Sequence, residues 1–504
     1  MNSKRQAIVI MTDTQRKDML GCYGHPAMKT PSLDRLAAGG IRFERAYTTQ
    51  PVCGPARSAL FTGLFPHSNG SWANSMPLGD NVLTVGQRLR DHGILTGYIG
   101  KWHLDGGDYF GTGRCPDGWD PGTWYDMRNY LEELSEADRL RSRKTATNHE
   151  GIEAEFTFGR RCANRAIEFI KRHADEDFLL VLSFDEPHGP CLCPEPFASM
   201  YKDYSFPKGE AFYDDLADKP EHHRVWADAR GRRLTRAEKE AVPVPVADYL
   251  GCNSFADSEI GRVMDQVDRA SPGALVVYTS DHGDLLGAHG LWNKGPCTYD
   301  TVANIPFLVR WSGRAPAASV SHHPASHIDL TPTLLDFFGA ERPPILEGIS
   351  LLPCFENPER RLQDEVFIEF GRYETDHDGF GGFQPLRCVC DGRYKLTVNL
   401  LTTDELYDLE GDPEELRNRI DDPALAAVRD RLHDRLLDWM NRTRDPFRGY
   451  YWHNRPWRKD APEPTWASTL MTRQREESTR YEARQLDYQT GLPMIRATRK
   501  KGEV

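Results

Sequence analysis

Three things are scarce in this sequence, and each scarcity excludes a class. Cysteine is the first: 11 in 504 residues is an odd number and too sparse for a disulfide framework. Positive charge is the second. Lys and Arg total 63 against 75 Asp and Glu, a net charge of −12, which argues against a nucleic-acid-binding surface. It does not exclude an anionic substrate, because a local cluster of cations can oppose the global sign. The third is a hydrophobic leader. Ala7-Ile8-Val9-Ile10-Met11 follows directly on Met1 to Gln6 and is cut off by Asp13, so it is too short for a signal-peptide core or a membrane span. The expectation is a reduced, cytoplasmic, soluble protein that partners neither nucleic acid nor membrane. Internal repeats and low-complexity runs are missing too. The length instead allows a large buried core in two or three domains.

What is present is a series of short apolar runs that each end in polar residues. Ala7–Thr12 reads as a central buried strand and delivers Asp13-Thr14-Gln15. Ile41–Tyr47 reads as a second strand. Ile94–Ile99 delivers Gly100-Lys101-Trp102-His103, Phe178–Phe184 delivers Asp185-Glu186-Pro187-His188, and Ala274–Thr279 delivers Ser280-Asp281-His282-Gly283, with Lys294 following. Continuous apolar runs of this kind suit strands buried on both faces, and ligands bind at the carboxyl ends of such strands. Helical spacing marks 82–92, 160–172, 248–267 and 326–338 between them. Cys191–Pro245 reads as an irregular surface excursion. Cys191-x-Cys193 and Cys388-x-Cys390 read as same-face strand residues rather than metal pairs.

A second unit begins near Asp364. Val366–Phe370, Leu386–Cys390, Tyr394–Leu400 and Asp404–Leu409 read as antiparallel strands, followed by an amphipathic helix over 423–440 that Asp422 caps. The division expected is 1–363 for a catalytic domain, 364–445 for an antiparallel sheet-plus-helix subdomain and 446–504 for an extended tail. The tail holds Trp452, Trp457 and Trp466 among Arg and Pro. Its composition suits wrapping over a domain, or over a second copy of the chain in a homo-oligomer, better than a core of its own.

The chain is organised around Cys53-Gly54-Pro55-Ala56-Arg57, which runs on through Leu60-Phe61-Thr62-Gly63. Locally this is a helix start with Pro55 at the first helical position and Gly63 as the stop. Cys53 then lies just ahead of a helix N-terminus, where the dipole lowers a thiol pKa. The string Cys-x-Pro-x-Arg with Leu-Phe-Thr-Gly resembles the signature of the formylglycine-dependent sulfatases. Gly100 to Leu104, the His188 loop, Ser280 to Gly283, Lys294 and the 404–418 stretch extend that resemblance over nearly the whole chain. It implies an α/β fold, the alkaline-phosphatase-like mixed sheet sandwiched by helices, plus a smaller C-terminal α+β domain with an antiparallel sheet.

The resemblance also implies roles. A sulfatase-maturating enzyme would oxidise Cys53 to formylglycine, which works as its hydrate. Asp13, Asp281, His282 and the modified Cys53 would hold one divalent metal ion, calcium by family expectation. Arg57 would orient and polarise the hydrate. Lys101, His188 and Lys294 would bind the sulfate of a small anionic ester, with His188 or Lys294 protonating the leaving oxygen. His103 would deprotonate the second hydroxyl to expel sulfate. One departure matters: the family commonly has two adjacent Asp after the first strand, and here the second is Thr14. One fewer carboxylate leaves Mg or Mn open as well, with Gln15 as an amide donor. Relatives with a single Asp include hydrolases of phosphonate monoesters and phosphodiesters, which form the enzyme alternative; a binding protein with unconverted Cys53 is the non-enzyme one. Lys101 and His103 favour the sulfatase, acting on a sulfated mono- or oligosaccharide. Asp105, Arg372 and His377, from the polar aromatic segments 105–126 and 372–377, are the candidates for sugar recognition.

Overall fold

The computed structural model describes residues 4–106, 108–228, 234–241, 243–374, 382–463 and 490–492. Among these residues the thirteen strands are β1 (Gln6–Thr12), β2 (Ile41–Phe43), β3 (Ala46–Tyr47), β4 (Leu95–Gly100), β5 (Phe178–Ser183), β6 (Leu275–Ser280), β7 (Phe307–Trp311), β8 (Ser319–Ser321), β9 (Ala325–Ser326), β10 (Val366–Phe370), β11 (Leu386–Cys390), β12 (Tyr394–Asn399) and β13 (Glu405–Asp408). The main sheet has seven strands in the order β4-β5-β1-β6-β7-β2-β8. Its left half, β4-β5-β1-β6, is parallel; β7 runs antiparallel to both β6 and β2.

Alternation along the strands builds two cores, because successive side chains leave opposite faces. Ile8, Ile10, Leu180, Leu182 and Val276 pack against the Phe158–Arg172 and Ala247–Ala270 helices. Ala7, Val9, Met11, Val181 and Val277 share the other core with Leu60 and Phe61 of the Cys53–Thr62 helix. Each central strand is therefore fully buried, and its carboxyl end delivers charged residues to one edge of the sheet. The four parallel strands all end on one edge, so residues 13, 101, 185 and 281 converge without further contrivance.

The four C-terminal strands form an antiparallel sheet in the order β10-β11-β12-β13, with Leu432, Leu436 and Trp439 of the Ala426–Arg442 helix packed on Val389, Leu396 and Val398. The described part of the tail does have a place. Trp452 is buried in that same cluster, and Arg455 makes two bonds of 2.8 and 2.9 Å to Asp404, to which Trp457 Nε1 also donates at 2.8 Å. Trp466 lies outside the described residues.

Three expectations need correction. The Ile41–Tyr47 strand is two: β2 pairs with β7 and β8, whereas β3 pairs with β9 in a separate two-stranded ladder. The Cys53 helix begins at Cys53 itself, so Pro55 is its third residue rather than its first. The first three helical positions all lack an intrahelical acceptor for their N–H, so proline is tolerated at each; the first bond of the turn is Ala56 N–H to Val52 O, 2.9 Å. Cys388 and Cys390 do share a face of β11, but Cys191 and Cys193 lie in a loop, outside any strand. All eleven cysteines are free.

Gly100 shows how tightly the strand ends are set. Its φ is +121°, and a Cβ there would stand 1.9 Å from Ser183 O, the same carbonyl that accepts from Lys101 N at 2.8 Å. Gly100→Ala is expected to cost about 2–4 kcal/mol of stability through backbone strain and β4–β5 displacement, and to lower turnover more than stability alone explains, because Lys101 moves with the backbone. Denaturant unfolding beside steady-state rates checks this; an unchanged unfolding midpoint would contradict it.

Candidate active site

The Cys53–Thr62 helix points its first residue at the ends of β1 and β6. Gly63, with φ +69°, closes the helix by donating to Ala59 O at 2.9 Å. Cys53 is buried, with Sγ 3.2 Å from His282 Nε2, 3.6 Å from Asp13 Oδ1 and 3.0 Å from Lys294 Nζ. Burial and the Asp13 carboxylate push the thiol pKa up, but Lys294, Lys101 and His282 outweigh them and bring it down to about 5.

Asp13, Asp281, His282 and Cys53 aim one donor atom each into a space where all lie within 4.8 Å of one another. His282 Nε2 stands 3.6 Å from Asp281 Oδ1 and 3.9 Å from Asp13 Oδ1. The other carboxylate oxygens face away. Arg57 Nη2 reaches Asp13 Oδ2 at 3.0 Å, and its Nε reaches Asp281 Oδ2 at 3.1 Å. This division leaves the Oδ1 atoms, an imidazole nitrogen and residue 53 for a divalent cation, a hard-plus-borderline donor set that such an ion suits. The two carboxylates are held differently. Burial and repulsion from Asp13 raise Asp281 to about 6, whereas for Asp13 the cost of burial is outweighed by Lys101, His188, Lys294 and Arg57, which hold it well below the usual carboxylate range.

Arg57 is wholly buried. Besides the two carboxylates, its Nη1 donates to Lys101 O and Ser183 Oγ, both at 2.7 Å. Its donors are thus spent on the scaffold rather than offered to a hydrate at residue 53, which departs from the expectation that it orients and polarises that group directly.

Thr14 replaces a carboxylate with two bonds of its own. Its Oγ1 donates to Asp13 Oδ1 at 2.6 Å and its N–H to Asp281 Oδ1 at 3.1 Å. It bridges the two acidic residues instead of adding a third, in a left-handed backbone conformation of φ +66°. Gln15 is not an amide donor to the cluster. Its Nε2 is given to Asn253 Oδ1 at 2.7 Å, and its Oε1 is taken by Tyr278 and Thr12 hydroxyls.

The cationic side of the site is equally compact. Lys101 Nζ lies 2.8 Å from Asp13 Oδ2 and 3.0 Å from Asp185 Oδ1. Burial opposes its charge, yet those carboxylates raise its pKa. His188 is partly exposed; burial and the neighbouring lysines lower it to about 4. His103 takes a left-handed φ of +60°, and its buried Nδ1 has no hydrogen-bond partner among the described residues. Burial, then Lys101 and Arg57, lower it to about 3. An unpartnered buried imidazole nitrogen in a cationic pocket fits a group that must accept a proton when substrate is bound.

The sugar-recognition candidates fare unevenly. Asp105 Oδ2 is turned into its own loop, accepting from Thr112 N and Oγ1, both at 2.7 Å. Arg372 stands beside the helix start: its carbonyl meets Gln50 Nε2 at 3.5 Å, while Tyr373 O accepts from Asn74 N at 3.0 Å and Asn74 Oδ1 from Gly54 N at 2.9 Å. His377 lies outside the described residues. Sequence reasoning missed Thr14 as a bridge, and Ser183, Asp185 and Tyr109 as partners of Arg57 and Lys101. Asp185, two residues after β5, was the one with a positional signal.

A second group of donor side chains, His67, Glu369 and Asp445, is a different kind of object. His67 gives its ring nitrogens to Glu369 and, at 2.9 Å, Thr443, and Arg387 pairs with Asp445 at 2.5 Å. It is an ion network joining residue 67 to the C-terminal sheet.

Residues 5–340 match the family model described as Sulfatase, and residues 287–442 the model described as N-sulphoglucosamine sulphohydrolase, C-terminal. The chain is 44% identical over 502 residues to the uncharacterized sulfatase YidJ of Escherichia coli (strain K12), covering 96% of both. It is 24% identical to the N-acetylglucosamine-6-O-sulfatase of Bacteroides thetaiotaomicron, with 88% of each chain covered. A solved structure described as a complex with its substrate D-glucosamine-2-N,6-O-disulfate superposes with a TM-score of 0.71 at 22% identity, over 88% of this chain and 99% of that one.

Proposed function

This chain belongs to the sulfatase family and is a sulfuric ester hydrolase, and from that premise we propose that it hydrolyses a small sulfated carbohydrate with a nucleophile made from Cys53. The observation that carries this reading is the double position of Cys53. Its Sγ touches the acidic donor set through His282 and the cationic set through Lys294, at 3.2 and 3.0 Å, so a group at residue 53 meets a sulfate held by the lysines. Lys101, His188 and Lys294 bind the sulfate oxygens and oppose charge that grows in the transition state. Asp13, Asp281 and His282 hold a divalent cation, calcium by preference, which adds Lewis-acid stabilisation when bound. Thr14 supplies orientation in place of a ligand.

The nucleophile is one hydroxyl of the hydrate of formylglycine, generated from Cys53 by a maturation enzyme. That hydroxyl would give its own proton to the Asp281 carboxylate, which shares the donor group with residue 53, as its oxygen bonds to sulfur and the ester S–O bond breaks, and the leaving alcohol would take a proton from His188 or Lys294. His103 then removes the proton of the second hydroxyl; the carbonyl re-forms and the C–O bond to sulfate breaks. The buried, unpartnered Nδ1 of His103 supports that base role. Relatives named for N-acetylglucosamine-6-O-sulfate and glucosamine disulfate make aminosugar sulfates the first substrates to test.

Mass spectrometry of the Cys53 peptide, followed by a panel of sulfate esters and phosphate diesters, tests the proposal. Formylglycine at residue 53 and a preference for sulfated sugars are expected. Unmodified Cys53 in fully active enzyme, or a preference for diesters by orders of magnitude, would overturn it.

A further inference from the structure

Tyr109 lies in the 105–126 segment read above for sugar recognition, yet its hydroxyl sits at the centre of the cationic pocket. It lies 2.8 Å from Lys101 Nζ, 2.9 Å from His188 Nδ1 and 2.5 Å from Asp185 Oδ1. Its ring lies under the Lys101 ammonium, 4.0 Å from Nζ to the centroid, and packs on His188 and His103 with centroids 5.2 and 5.4 Å apart.

Counting donors decides how this knot is wired. A lysine ammonium only donates and a carboxylate only accepts. The Tyr109 oxygen therefore accepts from Lys101, and its single hydrogen goes to Asp185. One lone pair remains, so His188 must bring the hydrogen of that contact on Nδ1. A second contact demands the same: Nδ1 also lies 2.9 Å from Gly189 O, another acceptor. Both fix the Nδ1–H form, and among the described residues no hydrogen bond reaches Nε2. We infer that Tyr109 is a positioning residue, whose hydroxyl ties His188 to Asp185 and Lys101 so that Nε2 alone is presented to the leaving oxygen of the sulfate ester. The inference rests on the sulfate-ester reading above and assigns the proton delivery that reading left between His188 and Lys294.

The step balances simply. As the ester S–O bond breaks, its electron pair stays on the leaving oxygen. His188, neutral at Nε2 while the lysines alone surround it, takes up a solvent proton there as the sulfate anion binds beside it; that proton passes to the leaving oxygen, and His188 ends neutral with its Nδ1 proton still shared with Tyr109 and Gly189. The Asp185 carboxylate, at the far side of the same hydroxyl, compensates the imidazolium before transfer. Lys101 is held in place throughout.

The test uses metal-loaded, formylglycine-containing enzyme and a series of aryl sulfates from 4-nitrophenyl to 4-methoxyphenyl sulfate. Tyr109→Phe keeps the ring and deletes the hydroxyl. Proton delivery matters most for poor leaving groups, so kcat should fall about tenfold to a hundredfold on the methoxyphenyl ester and little on the nitrophenyl ester. In a His188→Ala background the same change should add no further selective loss. Asp185→Asn, which leaves the Tyr109 hydroxyl in place, should show the same selectivity in smaller measure and serves if Tyr109→Phe proves unstable by thermal unfolding. Equal losses along the series, or losses that multiply with His188→Ala, would overturn the inference. Wild-type enzyme with no turnover of any sulfate ester would instead count against the proposed function.

Discussion

Cys53→Ala is expected to lower turnover of sulfate esters by a factor on the order of 10⁴ or more, as loss of a covalent nucleophile does elsewhere, while the protein stays folded. The side chain is small and buried at a helix start, so truncation to Ala leaves a minor cavity. It also removes an acidic thiol from among His282 and Lys294, partners at 3.2 and 3.0 Å. Thermal unfolding therefore shifts by a few degrees at most, whereas kcat disappears. Cys53→Ser, prepared without a maturation enzyme, separates two mechanisms. A serine oxygen can attack sulfur once, but it lacks the second hydroxyl that expels sulfate. One equivalent of alcohol should be released and a sulfated serine peptide should accumulate. Steady turnover by either variant would mean that residue 53 does not carry the reaction.

Arg57→Ala is expected to cost about 3–5 kcal/mol of folding stability, the scale for removing one partner from a buried ion group, and to abolish activity. The reason is its placement between Asp13 and Asp281. With the guanidinium gone, two carboxylates at zero exposure face each other without the one cation that bonds to both, although Lys101 and Lys294 still offset Asp13. Calcium binding should suffer as well: stabilisation on adding calcium to metal-stripped protein should be smaller in the variant than in the wild type, because the affinity falls once the carboxylates are no longer aimed. Arg57→Lys does not restore the site, since an ammonium cannot span two carboxylates, a carbonyl and a hydroxyl at once. Denaturant unfolding with and without calcium reads both effects. A variant as stable as the wild type would show that the two carboxylates need no guanidinium.

The sequence by itself determined the strands of the parallel half and what each delivers. Buried parallel strands are continuous apolar runs whose polar residues can only stand at the ends, so Asp13, Lys101, His188, Asp281 and His282 were legible from position alone. The antiparallel C-terminal strands were legible for a similar reason, as short β-rich runs separated by turns such as Asp391-Gly392. Helix capping placed Cys53 within a residue of the true helix start. What only the tertiary structure decided is how atoms from distant strands divide the work. Thr14 bridges two carboxylates 268 residues apart along the chain from one side, and Arg57 fixes their outer oxygens from the other. Gln15 turns away to Asn253. The Ile41–Tyr47 run splits between two ladders because its partners, β7, β8 and β9, arrive from more than 250 residues later. Tyr109 stood in the sequence only as one residue of the polar aromatic 105–126 segment. A tyrosine in a glycine-rich loop becomes part of a pocket only when folding puts its one hydroxyl among a lysine, a carboxylate and an imidazole, and hydrogen bonds of that kind depend on positions in space that local pattern does not encode.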